Sequence, residues 1–202
     1  MLALLALLAV FAKAWLGVLP MLIVILLIVA SAWLVRNPLR RIPASPLGVV
    51  SPACGTLVSV ENCQDRWLNR PAVRFVIDVT LLDVHTLYSP IEGKVMKEWP
   101  EGSGETLSRR RHSYWLRTDE GDDITLSLVL DRRAPYVGMT IHAGERVGQG
   151  QQCGFLYFAG KVEVYLPENS RLHAKAGERI DAGSDILGHL LHANGVSVLG
   201  DK

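Results

Sequence analysis

The chain changes its hydrophobic pattern twice. From Leu2 to Val35 apolar residues run almost unbroken, and the only charge is Lys13. Between Arg36 and Pro46 prolines and arginines interrupt the run. From residue 47 onward apolar and polar positions alternate in short stretches punctuated by glycine. The first pattern predicts helix in or at a membrane, because about 20 apolar residues are needed to cross a hydrocarbon core of about 30 Å. Ala14 to Val35 is long enough for one crossing, with Trp15 and Trp33 near its ends, where indole rings suit the interfaces. Leu2 to Phe11 is too short to cross alone and predicts a partial or re-entrant helix. If Pro20 breaks the second segment, the two form a shallow helical hairpin instead. No basic region precedes the apolar run, which argues for a retained anchor over a cleaved signal peptide.

Arg36, Arg40 and Arg41 form a basic collar after the anchor. The collar predicts an inner (cytoplasmic) membrane protein whose following domain is on the cytoplasmic side. The same arginines suit anionic head groups. Pro38, Pro43 and Pro46 make residues 36–46 an extended linker. The predicted organisation is therefore an anchor at 1–35, a linker at 36–46 and a β domain at 47–202.

Period-two runs predict strands at Val49–Val50, Gly55–Val60, Arg74–Leu81, Gly93–Lys97, Tyr114–Arg117, Ile124–Leu130, Phe155–Tyr157 and Lys161–Leu166. No segment after residue 46 sustains a helical period, so the soluble part is expected to be mostly β. Two internal echoes refine this. Ala143-Gly-Glu-Arg-Val147 with Gly150 returns as Ala176-Gly-Glu-Arg-Ile180 with Gly183. Ser51-Pro52 with Gly55 returns as Ser89-Pro90 with Gly93. Glycine permits a tight turn and the next strand returns to the core. Paired hairpins of this kind predict a small barrel–sandwich-like domain, as in biotinyl and lipoyl carriers.

Composition adds exclusions. A formal net charge of +1 gives no global field for nucleic acid. Cys54, Cys63 and Cys153 are too few and too far apart for a disulfide framework, and read as reduced thiols. No Cys/His cluster has metal-ligand spacing, and His112, His142, His173, His189 and His192 read as surface residues. Arg109-Arg110-Arg111 reads as a solvated basic loop, with anionic lipid or a partner as its second reading. Gly102-Ser103-Gly104 reads as a flexible turn.

Five segments in series resemble one known family, the short, single-domain phosphatidylserine decarboxylases. Val35-Arg-Asn-Pro-Leu-Arg-Arg-Ile-Pro43 follows the anchor as it does in that family. Ser51-Pro-Ala-Cys-Gly55 is similar to the family's SPADG, and Asp83-Val-His85 with Pro90 and Gly93-Lys94-Val95 is similar to its DVH…P…GKV. Arg132-Arg133 resembles an arginine pair before the return strand. The stretch from Gly150 to Pro167, GQQCGFLYFAGKVEVYLP, resembles GERFGMIRFGSRVDLYLP. The resemblance runs to about Leu187.

The resemblance implies conversion of phosphatidylserine to phosphatidylethanolamine and carbon dioxide, through a pyruvoyl group made by self-cleavage at a Gly-Ser pair. That group takes up electrons as carbon dioxide leaves. Self-cleavage needs a nucleophile and a base to activate it, and the family supplies serine, histidine and aspartate. Here the histidine is His85, the aspartate position holds Cys54, and the serine position holds Gly160 after Ala159. Glycine has no side chain, so no ester and no dehydroalanine can form there. Loss of the aspartate also removes the group that would orient His85. Leu87-Tyr88 replaces the family's Asn-Arg, leaving Tyr88, Arg132 and Arg133 as the lipid head-group candidates.

The leading expectation is thus a non-catalytic, membrane-held homologue with a phospholipid-binding, scaffolding or regulatory role and no pyruvoyl cofactor at Gly160. Membrane phospholipid is the expected partner, with a homo-oligomer or an active relative also open. Two alternatives stand beside it: a decarboxylase working by an unrecognised mechanism, in which a Cys54–His85 pair would be the nucleophilic unit, and a carrier-like domain modified at Lys97 of Val95-Met-Lys97. Cys153, seven residues before Gly160, has the wrong register to replace the serine.

Overall fold

The computed structural model describes residues 5–11, 17–34, 42–43, 45, 47–99, 109–131, 137–157 and 159–191. The chain divides into two units, Met1–Pro38 and Leu39–Lys202. In the first, residues 5–11 (α1) and Val18–Leu34 (α2) are helical. The expected segment from Ala14 thus becomes a helix that begins at Val18. Pro20 does not break it: it sits in the first turn, where its missing N–H has no intrahelical carbonyl to bond in any case. The 17 residues of α2 rise about 26 Å, short of a hydrocarbon core of about 30 Å. Among the described residues no helix is long and apolar enough to cross a membrane. The expected crossing helix is not supported. Leu22, Leu26 and Val29 of α2 nonetheless lie exposed.

The second unit is mostly β, as expected. Its strands are β1 (Gly48–Val50), β2 (Gly55–Asp65), β3 (Arg70–Val79), β4 (Thr86–Tyr88), β5 (Gly93–Trp99), β6 (Arg109–Arg117), β7 (Asp123–Asp131), β8 (Val137–Met139), β9 (Arg146–Val147), β10 (Gln152–Leu156), β11 (Gly160–Pro167), β12 (Arg171–Leu172), β13 (Arg179–Ile180) and β14 (Ile186–His189). Eight pair in the order β13-β2-β3-β11-β7-β6-β5-β9, and two three-stranded sheets run β4-β10-β8 and β1-β14-β12.

The period of two sets the core. Ile77, Val162 and Leu128 are cross-strand partners, as are Phe75, Val164 and Leu126, and all six are buried. The opposite face of the same strands is polar yet also buried. There Glu163 accepts from Arg111 at 2.7 Å and from the Tyr165 hydroxyl at 2.8 Å, and Ser113 donates to Ser127 at 2.8 Å. Arg109–Arg111 therefore lies on a strand, not in the expected loop, because nine ladder pairs to β7 outweigh its charge.

The sequence echoes come together as a pseudo-symmetric pair. Ser51 and Ser89 each donate a hydroxyl to the carbonyl two residues on, at 2.8 and 2.7 Å. Gly144 and Gly177 each donate to a strand carbonyl, Val95 and Leu57, at 2.7 Å, and Glu145 and Glu178 accept in return. The copies also exchange bonds: Val50 N–H meets the Pro90 carbonyl and Tyr88 N–H meets the Pro52 carbonyl, both at 2.9 Å.

Candidate functional site

Sheet register carries the three residues singled out by the resemblance, Cys54, His85 and Gly160, to one end of the β unit. Cys54 immediately precedes β2, where Thr56 pairs with Asp78 of β3. One residue further, Val79 pairs with Gly160 at the start of β11. The loop leaving β3 carries His85. The backbone ties His85 to the same place, since Leu156 N–H donates to the His85 carbonyl at 2.8 Å. The Leu156 side chain then lies 3.6–3.7 Å from where a Cβ on residue 160 would stand.

Each position has a distinct environment. Cys54 is buried with Val84, Tyr88 and Ala182. Its sulfur accepts from Ala182 N–H at 3.3 Å and its thiol faces Asp181 Oδ1 at 3.7 Å. His85 is buried against Phe155, with ring centroids 5.9 Å apart. Its Nε2 lies 3.1 Å from the Leu81 carbonyl. A carbonyl only accepts, so the neutral ring carries its proton on Nε2. Nδ1 is then the bare nitrogen, and it is buried with no hydrogen-bond partner among the described residues. That is the atom able to take up a proton. Gly160 is half-buried, and a Cβ there would approach the Val129 carbonyl to 3.2 Å. A serine therefore fits only if that carbonyl gives by a few tenths of an ångström.

Beside Gly160 opens a pocket of about 690 Å³, lined by Asp78–Leu82, Val129–Leu130 and Ala159–Lys161. Its lining is largely apolar, and Leu81 and Leu82 are 53% and 68% exposed at its edge. The His85 loop that forms this edge is braced. Asp83 Oδ2 accepts from Thr80 N–H and Oγ1–H at 2.8 and 2.7 Å, and its other oxygen pairs with Arg179 of β13. Burial pushes the Asp83 carboxyl pKa up, but the Thr80 hydrogen bonds and the Arg179 charge outweigh it and hold the pKa below the usual value.

The pocket, the Asp83 brace and Asp181 were not among the sequence candidates. Thr80-Leu-Leu-Asp83, a capped turn presenting two leucines, is the signal that could have found the first two. Tyr88 is buried beside Cys54. Arg132 and Arg133 lie outside the described residues, as do Gly102-Ser103-Gly104 and His192. Cys153 is fully buried, and burial pushes its thiol pKa up to about 12, which keeps it protonated and unreactive. No group of three His, Cys, Asp or Glu side chains among the described residues could hold a metal ion. His173 and His189 do meet, Nε2 to Nδ1 at 2.8 Å, beside Ser45.

Gly160 carries no side-chain hydroxyl. The likeness to the family is nevertheless extensive. Residues 30–188 match the family model described as phosphatidylserine decarboxylase. A protein named phosphatidylserine decarboxylase proenzyme from Nitrosomonas eutropha is 31% identical over 90% of this chain and 87% of its own length. Proteins of the same name from Aromatoleum aromaticum and Burkholderia ambifaria are 32% and 34% identical, over 77% and 82% of this chain and 76% and 81% of theirs. No solved structure matches. With the match spanning both internal repeats and the pocket strands, the chain belongs to the phosphatidylserine decarboxylase family.

Proposed function

We propose that this protein binds phospholipid of the phosphatidylserine class at the pocket beside Gly160, and that it makes no pyruvoyl group from its own residue 160. The observation that carries this is the combination at one sheet end of an apolar pocket and a glycine where the cofactor serine belongs. Acyl carbons suit the exposed Leu81 and Leu82, and Lys161 gives the pocket a cation for a phosphate or carboxylate. The protein is held at the cytoplasmic face of the inner membrane by the apolar helices of residues 1–35. The shortness of α2 favours the shallow hairpin over a crossing.

Decarboxylation of phosphatidylserine is the second reading, and family membership favours it. The matched relatives carry the decarboxylase name, and His85 keeps a buried bare nitrogen as a base. This reading requires a carbonyl at a residue other than 160. One experiment separates the two: intact mass of the purified full chain, together with the phospholipid composition of the expressing cells. An unsplit chain of 22.2 kDa with phosphatidylserine unconverted supports the binding reading. Two fragments with a carbonyl-bearing terminus, or conversion of phosphatidylserine, establish the second.

Restoration sharpens the test. Gly160→Ser returns a hydroxyl without its partners, so it should leave the chain whole. Combined with Cys54→Asp and Ala159→Gly it should give slow cleavage, because groups that act as a unit contribute non-additively. Cleavage in Gly160→Ser alone overturns the idea that the site lacks more than its nucleophile.

A further inference from the structure

Three polar side chains from separate parts of the chain line up beside the β1-β14-β12 sheet. His189 Nδ1 lies 2.8 Å from His173 Nε2, and His189 Nε2 lies 3.0 Å from Ser45 Oγ. The backbones that carry them are held. His189 of β14 pairs with Gly48 of β1 and Arg171 of β12. His173 N–H donates to the carbonyl of Leu187, which lies on β14 with His189. The Ser45 carbonyl accepts from Gly48 N–H at 3.0 Å and from the Gln149 amide at 3.1 Å.

Hydrogen-bond accounting shows what this arrangement offers. Only one proton fits between two facing ring nitrogens, so in the neutral pair one of them is bare. With its Nε2–H donated to Ser45, His189 presents the bare nitrogen at Nδ1, and His173 Nε2 supplies the shared proton. His173 Nδ1 makes no hydrogen bond among the described residues. A tautomer exchange therefore moves that proton to Nδ1 of His173 and leaves two lone pairs facing one gap. Such a pair suits Zn²⁺, Cu²⁺ and Ni²⁺, which favour imidazole. A tetrahedral ion bound at about 2.0–2.1 Å holds its nitrogens about 3.3 Å apart, so the rings need to part by only about half an ångström. His173 is exposed and free to turn, while Ser45 holds the half-buried His189. Metal-bound histidines have their second ring nitrogen held by a neighbour in this way. The charged groups beside the pair are Arg171, opposite His189, and Lys175, two residues after His173. Both are exposed, where solvent and salt screen them.

We propose that His173 and His189 bind one divalent late transition metal of the zinc, copper and nickel group, with Ser45 as the positioning residue for His189. Binding shifts the shared proton to His173 Nδ1, so no proton leaves the neutral pair. Two nitrogens leave positions on the metal open to water or a second ligand. Ser45 belongs to the segment that leads into β1, so metal at the pair also tightens that segment against β14. The site is separate from the pocket beside Gly160 and does not depend on what that pocket binds.

The test adds Zn²⁺ to the full chain, free of any affinity tag, and follows titration calorimetry and the imidazole nitrogen resonances. The resonances of His173 and His189 should shift together at micromolar Zn²⁺, with one ion per chain, while those of His142 stay in place. This arm needs no substitution, so misfolding of a variant does not blunt it. His173→Gln and His189→Gln should each weaken binding by about 100-fold, because a lone imidazole is left. Glutamine at 189 keeps an amide able to reach Ser45 and removes the nitrogen that faces the metal, so loss there reports coordination. Ser45→Ala should weaken binding by about 10-fold, as expected when a holding neighbour is removed. Amide exchange at Gly48 and Leu190 should slow with Zn²⁺ in the wild type and in neither histidine variant. Binding no tighter than millimolar overturns the proposal. So does equal affinity in the wild type and both histidine variants, which would place the ion on other side chains such as Cys63. Coordination at the pair with no change in exchange at Gly48 and Leu190 keeps the metal site and removes the tightening of the segment.

Discussion

The two internal copies share a backbone and differ in what their side chains do. In one, Ser51 to Leu57 clasps Ala176 to Gly183; in the other, Ser89 to Val95 clasps Ala143 to Gly150. Serine hydroxyls, glycine N–H groups and glutamate carbonyls make corresponding bonds in both. The divergence lies at the positions those bonds leave free. Cys54 of the first copy meets Asp181 and Ala182. In the second, the residue matching Ala182 is Gln149, whose amide donates to the carbonyls of Ser45 and Gly48. One copy thus packs Cys54 against Asp181 and Ala182, and the other fastens the linker to the domain. The backbone unit is the scaffold, and a few side chains decide its use.

If the shared backbone is the scaffold, breaking it should be equally severe in either copy. A Cβ on Gly55 would run into the Asp78 carbonyl, and one on Gly93 into the Arg117 carbonyl, both well inside contact distance. Backbone cannot step aside as a side chain does, so Gly55→Ala and Gly93→Ala should each cost about 3 kcal/mol or more. Thermal or denaturant melts of both variants check this. A mild loss in one copy alone would mean that the copies are not equivalent supports.

The next contrast concerns the arginine each copy sends to a neighbouring turn. Arg179 reaches the buried Asp83, whereas Arg146 reaches Asp119 with both partners exposed. Asp83→Asn should cost about 2 kcal/mol, since it weakens a buried carboxylate holding two Thr80 donors and one guanidinium. Asp119→Asn should leave the melt unchanged, as exposed pairs contribute little. The pH dependence follows from the lowered Asp83 pKa. A carboxyl whose folded pKa lies below its unfolded value of about 3.9 contributes fully above that value, and the contribution fades as pH falls through the folded pKa. The wild type should therefore lose more stability than Asp83→Asn between neutral and strongly acid pH. Parallel acid limbs would remove Asp83 from the account.

Much of this was legible from pattern alone. The glycine-and-serine echoes gave the paired clasps because turn geometry is local and restricts residue type. The start of α2 at Val18 was not legible, since the apolar pattern runs through it without a break. The arginine tract at 109–111 was misread as loop because its strand identity comes from pairing with β7, a tertiary contact that composition does not record. Cys54, His85 and Gly160 were singled out by the resemblance, and the register places them at one end of the sheet without assigning them a role. The pocket was not legible, for it depends on where β3, β7 and β11 end relative to one another.

A smaller effect probes Cys54 itself. Cys54→Asp places a carboxylate where the thiol now faces Asp181 at 3.7 Å. Two adjacent carboxylates resist joint ionisation, so one pKa rises in the folded state. Stability should drop by about 1–2 kcal/mol at neutral pH and recover toward lower pH, because a raised carboxyl pKa favours the fold only while the group is protonated. Adding Asp181→Asn should remove most of the penalty. Equal penalties with and without Asp181 would show that the two side chains do not interact, and that the cost of an aspartate at 54 comes from burial alone.

The smallest expected difference separates the two copies at their closing glycines. Gly150 and Gly183 have φ of +67° and +70°, the left-handed region, so alanine should cost about 1 kcal/mol at either. The surroundings differ. At Gly183 the new methyl would stand 3.6 Å from the Tyr88 ring, ordinary contact that adds nothing. At Gly150 it would meet the Ile42 side chain at 2.7–2.9 Å, and Ile42 belongs to the linker that Gln149 helps to hold. A branched side chain can swing away, and doing so takes the linker with it. Gly150→Ala should therefore match Gly183→Ala in the global melt to within a few tenths of a kcal/mol, while amide exchange at Gly48 and Leu190 speeds up only in Gly150→Ala. Those amides are informative because Gly48 N–H donates to the Ser45 carbonyl and Leu190 N–H donates to the Leu47 carbonyl. If exchange there is the same in both variants, the second copy does not fasten the linker, and the division of labour between the copies fails at that point.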